Sequence, residues 1–339
     1  MTTPFPFPVT ASVPAPGALL SRVLPAYDLG SPASACTLHM SGVNDVYLVR
    51  SRDGRRFVLK VYRHGWRSEP EVRYELDLLA DLDRRGVPVA LPLPRKDGRG
   101  RVTPIPAPEG TRPAVLFEHA PGRPPTWPFY EHEGECRLLG RALAQIHEAA
   151  LDFRSPHPRP ALDDALLLDG ALAALRPFVE ERRPGDWRYL VGLVGRLRER
   201  LGDLDRRGLS RGVCHGDFHG GNVFLQDDDV EGGGMRVTTF DFDVCGPGWL
   251  AFDIARWRDK THDKPAAVWD AFLDGYERER PLTADGRDAI ELFETLQLFD
   301  WTRVKFTFAA RGVWDSWDAD FFLNDLVSRL QRAEEAAGG

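Results

Sequence analysis

Cysteine is scarce in this chain. Only Cys36, Cys136, Cys214 and Cys245 stand among 339 residues, and no two have the C-x-x-C spacing of a zinc site or redox pair. Four scattered thiols are also too few for a secreted disulfide framework. A basic excess is missing: 44 Lys and Arg stand against 51 Asp and Glu, a formal net charge of −7. That balance argues against a nucleic-acid partner, which needs a basic patch. It is compatible with a cationic substrate, although net charge chiefly reports solubility. No apolar run approaches the ~18–20 residues that span a bilayer. Residues 1–20 lack a basic start and carry five prolines, unlike a signal peptide. The expectation is a cytoplasmic protein with no membrane partner. No internal repeat is visible. What is present, 42% hydrophobic and 28% charged residues, matches a soluble globular enzyme long enough for two modest domains.

Residues 1–16 are Pro-rich and read as a loose arm. Strand-like runs follow at 35–40, 46–50 and 56–62, and Arg52-Asp53-Gly54-Arg55 is the turn between the last two. Val72, Leu76, Leu79 and Leu82 recur at steps of four, three and three, a helical stripe that Gly86 closes. Residues 114–117 form a short buried strand before Pro121-Gly122 breaks the chain. From Glu131 the texture turns helical, with Leu139, Leu143 and Ile146 on one face and a second helix over 187–204. Short strand-like pieces at 213–224 and 236–242 flank an acidic, glycine-rich turn at 227–234. That turn reads as a solvated hairpin tip rather than a metal site. Four or so aromatic-rich helices follow Pro247. The change near 120–128 marks an inter-domain hinge.

The strongest chemical signal is His215-Gly216-Asp217-Phe218-His219-Gly220-Gly221-Asn222. Phosphoryl transfer needs a carboxylate to orient the attacking hydroxyl and take its proton, and oxygen ligands for Mg2+. Asp217 and Asn222, at D-x-x-x-x-N spacing on one tight loop, supply both. Gly216, Gly220 and Gly221 let that loop turn sharply. A second signal is Phe240-Asp241-Phe242-Asp243, which puts Asp241 at a strand end as a Mg2+ ligand, with Asp243 as a second ligand or a loop-ordering group. A third is Lys60 within Val58-Leu59-Lys60-Val61. A lysine in an apolar strand needs an acid or a phosphate, and Glu75 is the expected acid, ahead of Glu71. A fourth and weaker signal is the turn 41–46, where Ser41 and Asn44 are available to phosphate although the segment has only one glycine. His215 reads as structural and His219 as a solvated loop histidine. Their i, i+4 spacing lacks the helical H-E-x-x-H context of a zinc site. Cys214 and Cys245 read as small packing residues.

With these residues in view, the chain resembles the aminoglycoside phosphotransferase and choline kinase superfamily. HGDFHGGNVF is similar to its catalytic loop, FDFDVCGPGWLAFDIA to its metal-binding strand and following helix, and LGRALAQIHEA (139–149) to the helix before its substrate region. The run after Asp241 is nearest the branch of stress-response kinase A and homoserine-kinase-like proteins. The resemblance covers most of 35–335. It implies a two-lobed, protein-kinase-like α+β fold: the arm at 1–16, a β-rich N-lobe at 17–120 and a helical C-lobe at 121–339. It implies ATP in a cleft, Asp217 as base, Asn222 and Asp241 on Mg2+, and Lys60, positioned by Glu75, on the α/β-phosphates. It further implies Glu118 to Ala120 as the hinge whose backbone meets adenine, and Asp253 as the buried brace of the catalytic loop.

The acceptor stays open at this level. A small molecule such as an amino alcohol, sugar or aminoglycoside-like compound is favoured. A peptide or protein Ser/Thr acceptor of the stress-response kinase A type is the alternative. A non-catalytic binding module is a third reading, opposed by the intact set Lys60, Asp217, Asn222 and Asp241. Trp301, Arg303, Lys305, Arg311, Trp314, Asp315, Trp317, Asp318 and Asp320 are expected near the acceptor pocket, where aromatics with acids suit a cationic amine or sugar.

Overall fold

Period-two burial builds the first sheet. The computed structural model describes residues 9–128, 130–227, 234–312 and 318–338. Helix α1 (Pro16–Arg22) precedes β1 (Ala33–Ser41), β2 (Asn44–Ser51) and β3 (Arg56–Tyr62). Tyr47 and Val49 of β2 and Phe57, Leu59 and Val61 of β3 are buried on one face, against Leu19 and Val23 from the α1 segment. Each such side chain contributes roughly 1.5–3 kcal/mol on burial. Lys60 and Tyr62 take the opposite parity and meet helix α2 (Glu69–Arg84). The stripe Val72, Leu76, Leu79 and Leu82 is buried, and a reciprocal Ser68–Glu71 capping box starts the helix. β4 (Val102–Ala107) and β5 (Gly110–Glu118) complete an antiparallel sheet of order β1-β2-β3-β5-β4. Pro104 and Pro106 fit β4 because it is an edge strand.

Residues 12–16, read from composition as part of a loose arm, are held. Ser12 bonds Glu109, its carbonyl accepts from Arg112, and the Pro14 carbonyl accepts from the Tyr47 hydroxyl at 2.6 Å. Pro16 then opens α1, where its fixed φ suits a first helical position. Residues 1–8 of that arm lie outside the described residues.

The helical part begins with α3 (Glu133–Ala149), followed by a π-turn at Ala165–Asp169, α4 (Gly170–Val179), α5 (Pro184–Arg206) and the short β6 (Arg211–Cys214). The antiparallel pair β7 (Val223–Asp227) and β8 (Met235–Thr239) comes next. The tip of the acidic turn between them, 228–233, lies outside the described residues. β9 (Gly246–Trp249) pairs with β6, and α6 (Ala251–Thr261), α7 (Ala266–Glu279), α8 (Ala284–Ala310) and α9 (Ala319–Gly338) end the chain. Helices α3 and α7 approach backbone to backbone: a Cβ on Gly140 or Gly275 would fall 1.9 Å from a carbonyl oxygen of the other helix.

The chain forms two compact units. The first comprises Met1–Pro124, Asp152–Arg159 and Val223–Asp243; the second comprises Pro125–Leu151, Pro160–Asn222 and Val244–Gly339. Backbone bonds explain why β7 and β8 belong with the first. Thr239 exchanges bonds with Pro88 and Ala90 at 3.1 Å, and Arg123 with Leu225 at 2.9 and 2.7 Å. The result is the expected α+β architecture, with a β-rich first unit and a mainly helical second one. Among the described residues, no helix is long and apolar enough to cross a membrane.

Candidate active site

The chemistry-bearing side chains form two clusters, one within each unit. In the first unit, Lys60 is carried inward by β3. Its Nζ donates to Asp241 Oδ1 at 2.7 Å and lies 3.6 Å from Glu75 and 3.9 Å from Asp243. Burial works against the ammonium, but these three carboxylates hold its pKa above the ordinary lysine value. Glu75 is buried, which raises its pKa against the pull of Lys60, and it accepts from the Tyr62 hydroxyl at 2.9 Å. Glu71 is committed to the capping box.

Asp241 has φ of 65°, in the left-handed region that favours glycine. Such outliers cluster at functional sites because surrounding contacts must enforce them. Its side chain is 41% exposed. Asp243 is instead buried and anchored. Its Oδ2 accepts from Trp66 at 2.8 Å and Asn44 at 3.0 Å, and its carbonyl accepts from Arg67 and Arg159. Its Oδ1 has no hydrogen-bond partner among the described residues. Burial disfavours its charge, yet Lys60 and Arg67 hold it below the ordinary value.

The glycine-poor turn 41–46 is stapled rather than loose. The Gly42 carbonyl accepts from Arg63 at 2.7 and 3.0 Å. Ser41 donates to Asp45 at 2.5 Å, and Asp45 is paired in the interior with Arg112 at 2.7 Å. Asn44 donates to Asp243 and accepts from the Arg63 N–H. Ser41 and Asn44 thus brace the turn in this structure. In the hinge segment the Glu118 N–H donates to Leu91, His119 contacts the Ala120 carbonyl, and Ala120 is buried.

In the second unit, the loop from His215 to Asn222 follows β6. Asp253, wholly buried on α6, accepts from the N–H groups of His215 at 2.6 Å and Gly216 at 2.8 Å, and from His147 of α3 at 3.0 Å. Gly216 has φ of 85°, and a Cβ there would lie 2.5 Å from the Val244 carbonyl. His215 is buried and accepts from the Asp217 N–H through Nδ1. The Asn222 amide donates to the Asp217 carbonyl at 2.9 Å, which leaves its side-chain oxygen for a cation. The Asp217 carboxylate is 31% exposed, with Arg256 at 2.6 Å and His219 at 3.5 Å. Burial would raise its pKa, but Arg256 first and His219 second hold it well below the carboxylate range. Asp253 and Arg256 are three apart on α6, so one helix face holds both the loop backbone and its carboxylate.

A family profile described as "Phosphotransferase enzyme family" matches residues 36–293. This chain belongs to that family. This phosphotransferase is 36% identical over 298 residues to an uncharacterised protein of Synechocystis, covering 87% of this chain and 79% of the relative. It is 31% identical over 284 residues to a homoserine kinase of Rhodopseudomonas palustris, covering 80% and 78%. Among solved structures, a microcompartment-associated aminopropanol kinase superposes with a TM-score of 0.69 at 22% identity, over 94% of this chain and 95% of that one. Amicoumacin kinase in complex with AMP-PNP, Ca2+ and Ami gives 0.71 at 21% identity, over 94% and 91%. These similarities share the fold of the phosphotransferase.

Each unit offers one oxygen donor of the hard type that a divalent cation takes. Asp241 presents an exposed carboxylate, and Asn222 keeps a side-chain oxygen. Among the described residues, no group of three or more His, Cys, Asp or Glu side chains is placed to hold a metal ion. Sequence reasoning passed over Arg256, His147, Arg63 and Arg112. Arg256 had one available signal, its position one helical turn after Asp253. Of the expected acceptor residues, Arg303 pairs with Asp300, Asp320 lies near Arg182, and Asp318 caps the α9 start. Arg311 is exposed, while Trp314, Asp315 and Trp317 lie outside the described residues. Trp301 and Lys305 face the Asp217 side of the unit, through Arg256.

Proposed function

We propose that this phosphotransferase moves the γ-phosphoryl group of ATP to a hydroxyl of a small molecule. The observation that carries the reading is Lys60, a buried ammonium held by Glu75 and by the outlier Asp241. A cation fixed there is a phosphate handle, with Glu75 setting its position. Asp217 is the base, Asp253 braces its loop, and the backbone from Glu118 to Ala120 meets adenine. The acceptor oxygen forms the new P–O bond. The bond from the γ-phosphorus to the bridging oxygen breaks, its electron pair leaves with ADP, and the acceptor proton passes to Asp217. Asp241 and Asn222 oxygens would hold Mg2+, which would supply charge neutralisation on the transferring group. No covalent enzyme intermediate is needed, because positioning and electrostatics carry most of such a reaction. Homoserine kinases among the relatives and aminopropanol, choline and spectinomycin kinases among the structural neighbours support a small hydroxyl compound as acceptor.

The test is ADP release from Mg-ATP over a panel of amino alcohols, sugars, aminoglycosides and peptides. Acceptor-dependent ADP from a small hydroxyl compound, abolished in Asp217→Ala, is the expected result. ATP binding without ADP from any acceptor sinks the reading, as does an Asp217→Ala variant with near-wild-type turnover.

A further inference from the structure

We propose that the acceptor carries a carboxylate, and that Lys260 and Arg256 form its binding subsite beside Asp217; this rests on Asp217 being the base. Two packed helices supply the geometry. On α6, Arg256 and Lys260 are four apart and share a face; on α8, Trp301 and Lys305 do the same. The Trp301 ring joins the two rows, with Arg256 5.7 Å and Lys305 5.4 Å from its centroid. That ring is 41% exposed, so the place where the rows meet is open.

The charges here do not balance. Asp217 is taken by Arg256 at 2.6 Å. Asp259 is bonded to Arg329 at 2.8 Å and reaches Lys260 only at 3.6 Å. Lys305 has no ion pair within 4.0 Å among the described residues, only its two ring contacts. Burial and the neighbouring Arg256 push Lys260 below the ordinary lysine value. Burial, Arg329 and Lys260 do the same to Lys305, against the pull of Asp325. Both ammonium groups therefore sit where an added anion is favourable and an added cation is repelled. A hydroxyl compound with an amine as its one charged group would bring the wrong sign. Of the acidic residues expected to greet such an amine, Asp318 and Asp320 are engaged elsewhere, and Asp315 lies outside the described residues.

Three acceptors on one carbon frame test this. Homoserine has both an amine and a carboxylate, 4-hydroxybutyrate lacks the amine, and 3-aminopropan-1-ol lacks the carboxylate. ADP release with Mg-ATP is measured on the full chain. The expected kcat/KM is about tenfold or more higher for 4-hydroxybutyrate than for 3-aminopropan-1-ol, the scale of one hydrogen-bonded charge pair. Lys260→Gln should shrink that ratio about fivefold, through a raised KM for the carboxylate compound. A wild-type ratio of one or less overturns the carboxylate subsite and leaves the phosphotransferase reading standing. An equal loss on both acceptors in Lys260→Gln also overturns it, because a purely structural lysine would act that way. No ADP from any of the three overturns the subsite, and only silence across the wider panel reaches the phosphotransferase reading.

Discussion

The two charged clusters are built with opposite signs. In the first unit one buried cation, Lys60, is ringed by three carboxylates at 2.7, 3.6 and 3.9 Å. In the second unit one carboxylate, Asp217, is flanked by Arg256 at 2.6 Å and His219 at 3.5 Å. An excess of acid around Lys60 favours an added cation. Around Asp217 the carboxylate is balanced by Arg256, and Lys260 nearby adds a cation that favours an anion. Exposure differs as well: Lys60 is 7% exposed and Asp217 31%. A buried ion that loses its partner is costly, whereas a half-open one can turn to water. The Lys60 cluster therefore has a structural task as well as a chemical one, and the Asp217 cluster is mainly chemical.

That contrast fixes the largest expected effects. Asp217→Asn keeps the shape and a contact to Arg256 but removes the base. It should lower kcat by about 10²–10⁴-fold and move Tm by no more than ~3 °C. Lys60→Met should lose both activity and stability. It leaves Glu75 without its ion-pair partner and Asp243 with Arg67 alone, a loss of about 3–5 kcal/mol, or roughly 10 °C in Tm. Calorimetry beside a kinetic assay separates the two. A Lys60→Met protein with wild-type Tm, or an Asp217→Asn protein that melts far earlier, would erase the distinction.

The loop from His215 to Asn222, the Asp241 strand end and the Lys60 strand were legible in the sequence because each is a local pattern. His215 to Asn222 is eight consecutive residues, and Lys60 announces itself as a charge inside an apolar run. The partners of these residues were less visible. Arg256 reaches Asp217 from another element, and its one trace is its place a helical turn after Asp253. Asn44 and Trp66 converge on Asp243 from nearly two hundred positions away, a tertiary fact without a local trace. The fold shows the same division. The hairpin β2–β3 and helices α2, α3 and α5 follow from turn residues and apolar stripes. β4 carries two prolines and reads as a loop until β5 supplies its one partner. β9, Gly-Pro-Gly-Trp, has no strand character of its own and exists because β6 lies beside it.

A middle-sized effect should come from the brace. Asp253→Asn keeps one acceptor oxygen for two loop N–H groups and His147. With its oxygen in the Oδ2 place the amide keeps His215 and His147 and leaves the Gly216 N–H unmatched, which costs about 1–3 kcal/mol and a few degrees of Tm. Because that N–H belongs to the loop, kcat should fall by roughly tenfold as the loop shifts. If kcat holds while Tm falls, the brace serves the fold alone, and the second cluster is less purely chemical than its exposure suggests.

The smallest effect is a shift along the pH axis, and it probes the sign of the second cluster directly. Asp217 is held below its unfolded value of about 3.9, with burial opposing and Arg256 leading the stabilisation of its charge. A carboxyl depressed in the folded state contributes stability above its unfolded pKa. That contribution is lost as pH falls through the lower, folded value. In the wild type, the acid limb of kcat/KM due to Asp217 should therefore lie below pH ~3.9. Arg256→Met removes the leading charge and leaves burial opposed by His219 alone. The limb should then rise to about pH 5, and the stability contribution should change sign. It would be present at low pH and lost as pH rises through the new value. Arg256→Lys keeps a positive charge without the bidentate fork, so its limb should fall between the two. A pH–rate profile of all three proteins, with Tm followed over the same range, reads both consequences. An acid limb that stays put in Arg256→Met would mean that other groups set the basicity of Asp217, and the opposition of signs between the clusters would lose its chemical content.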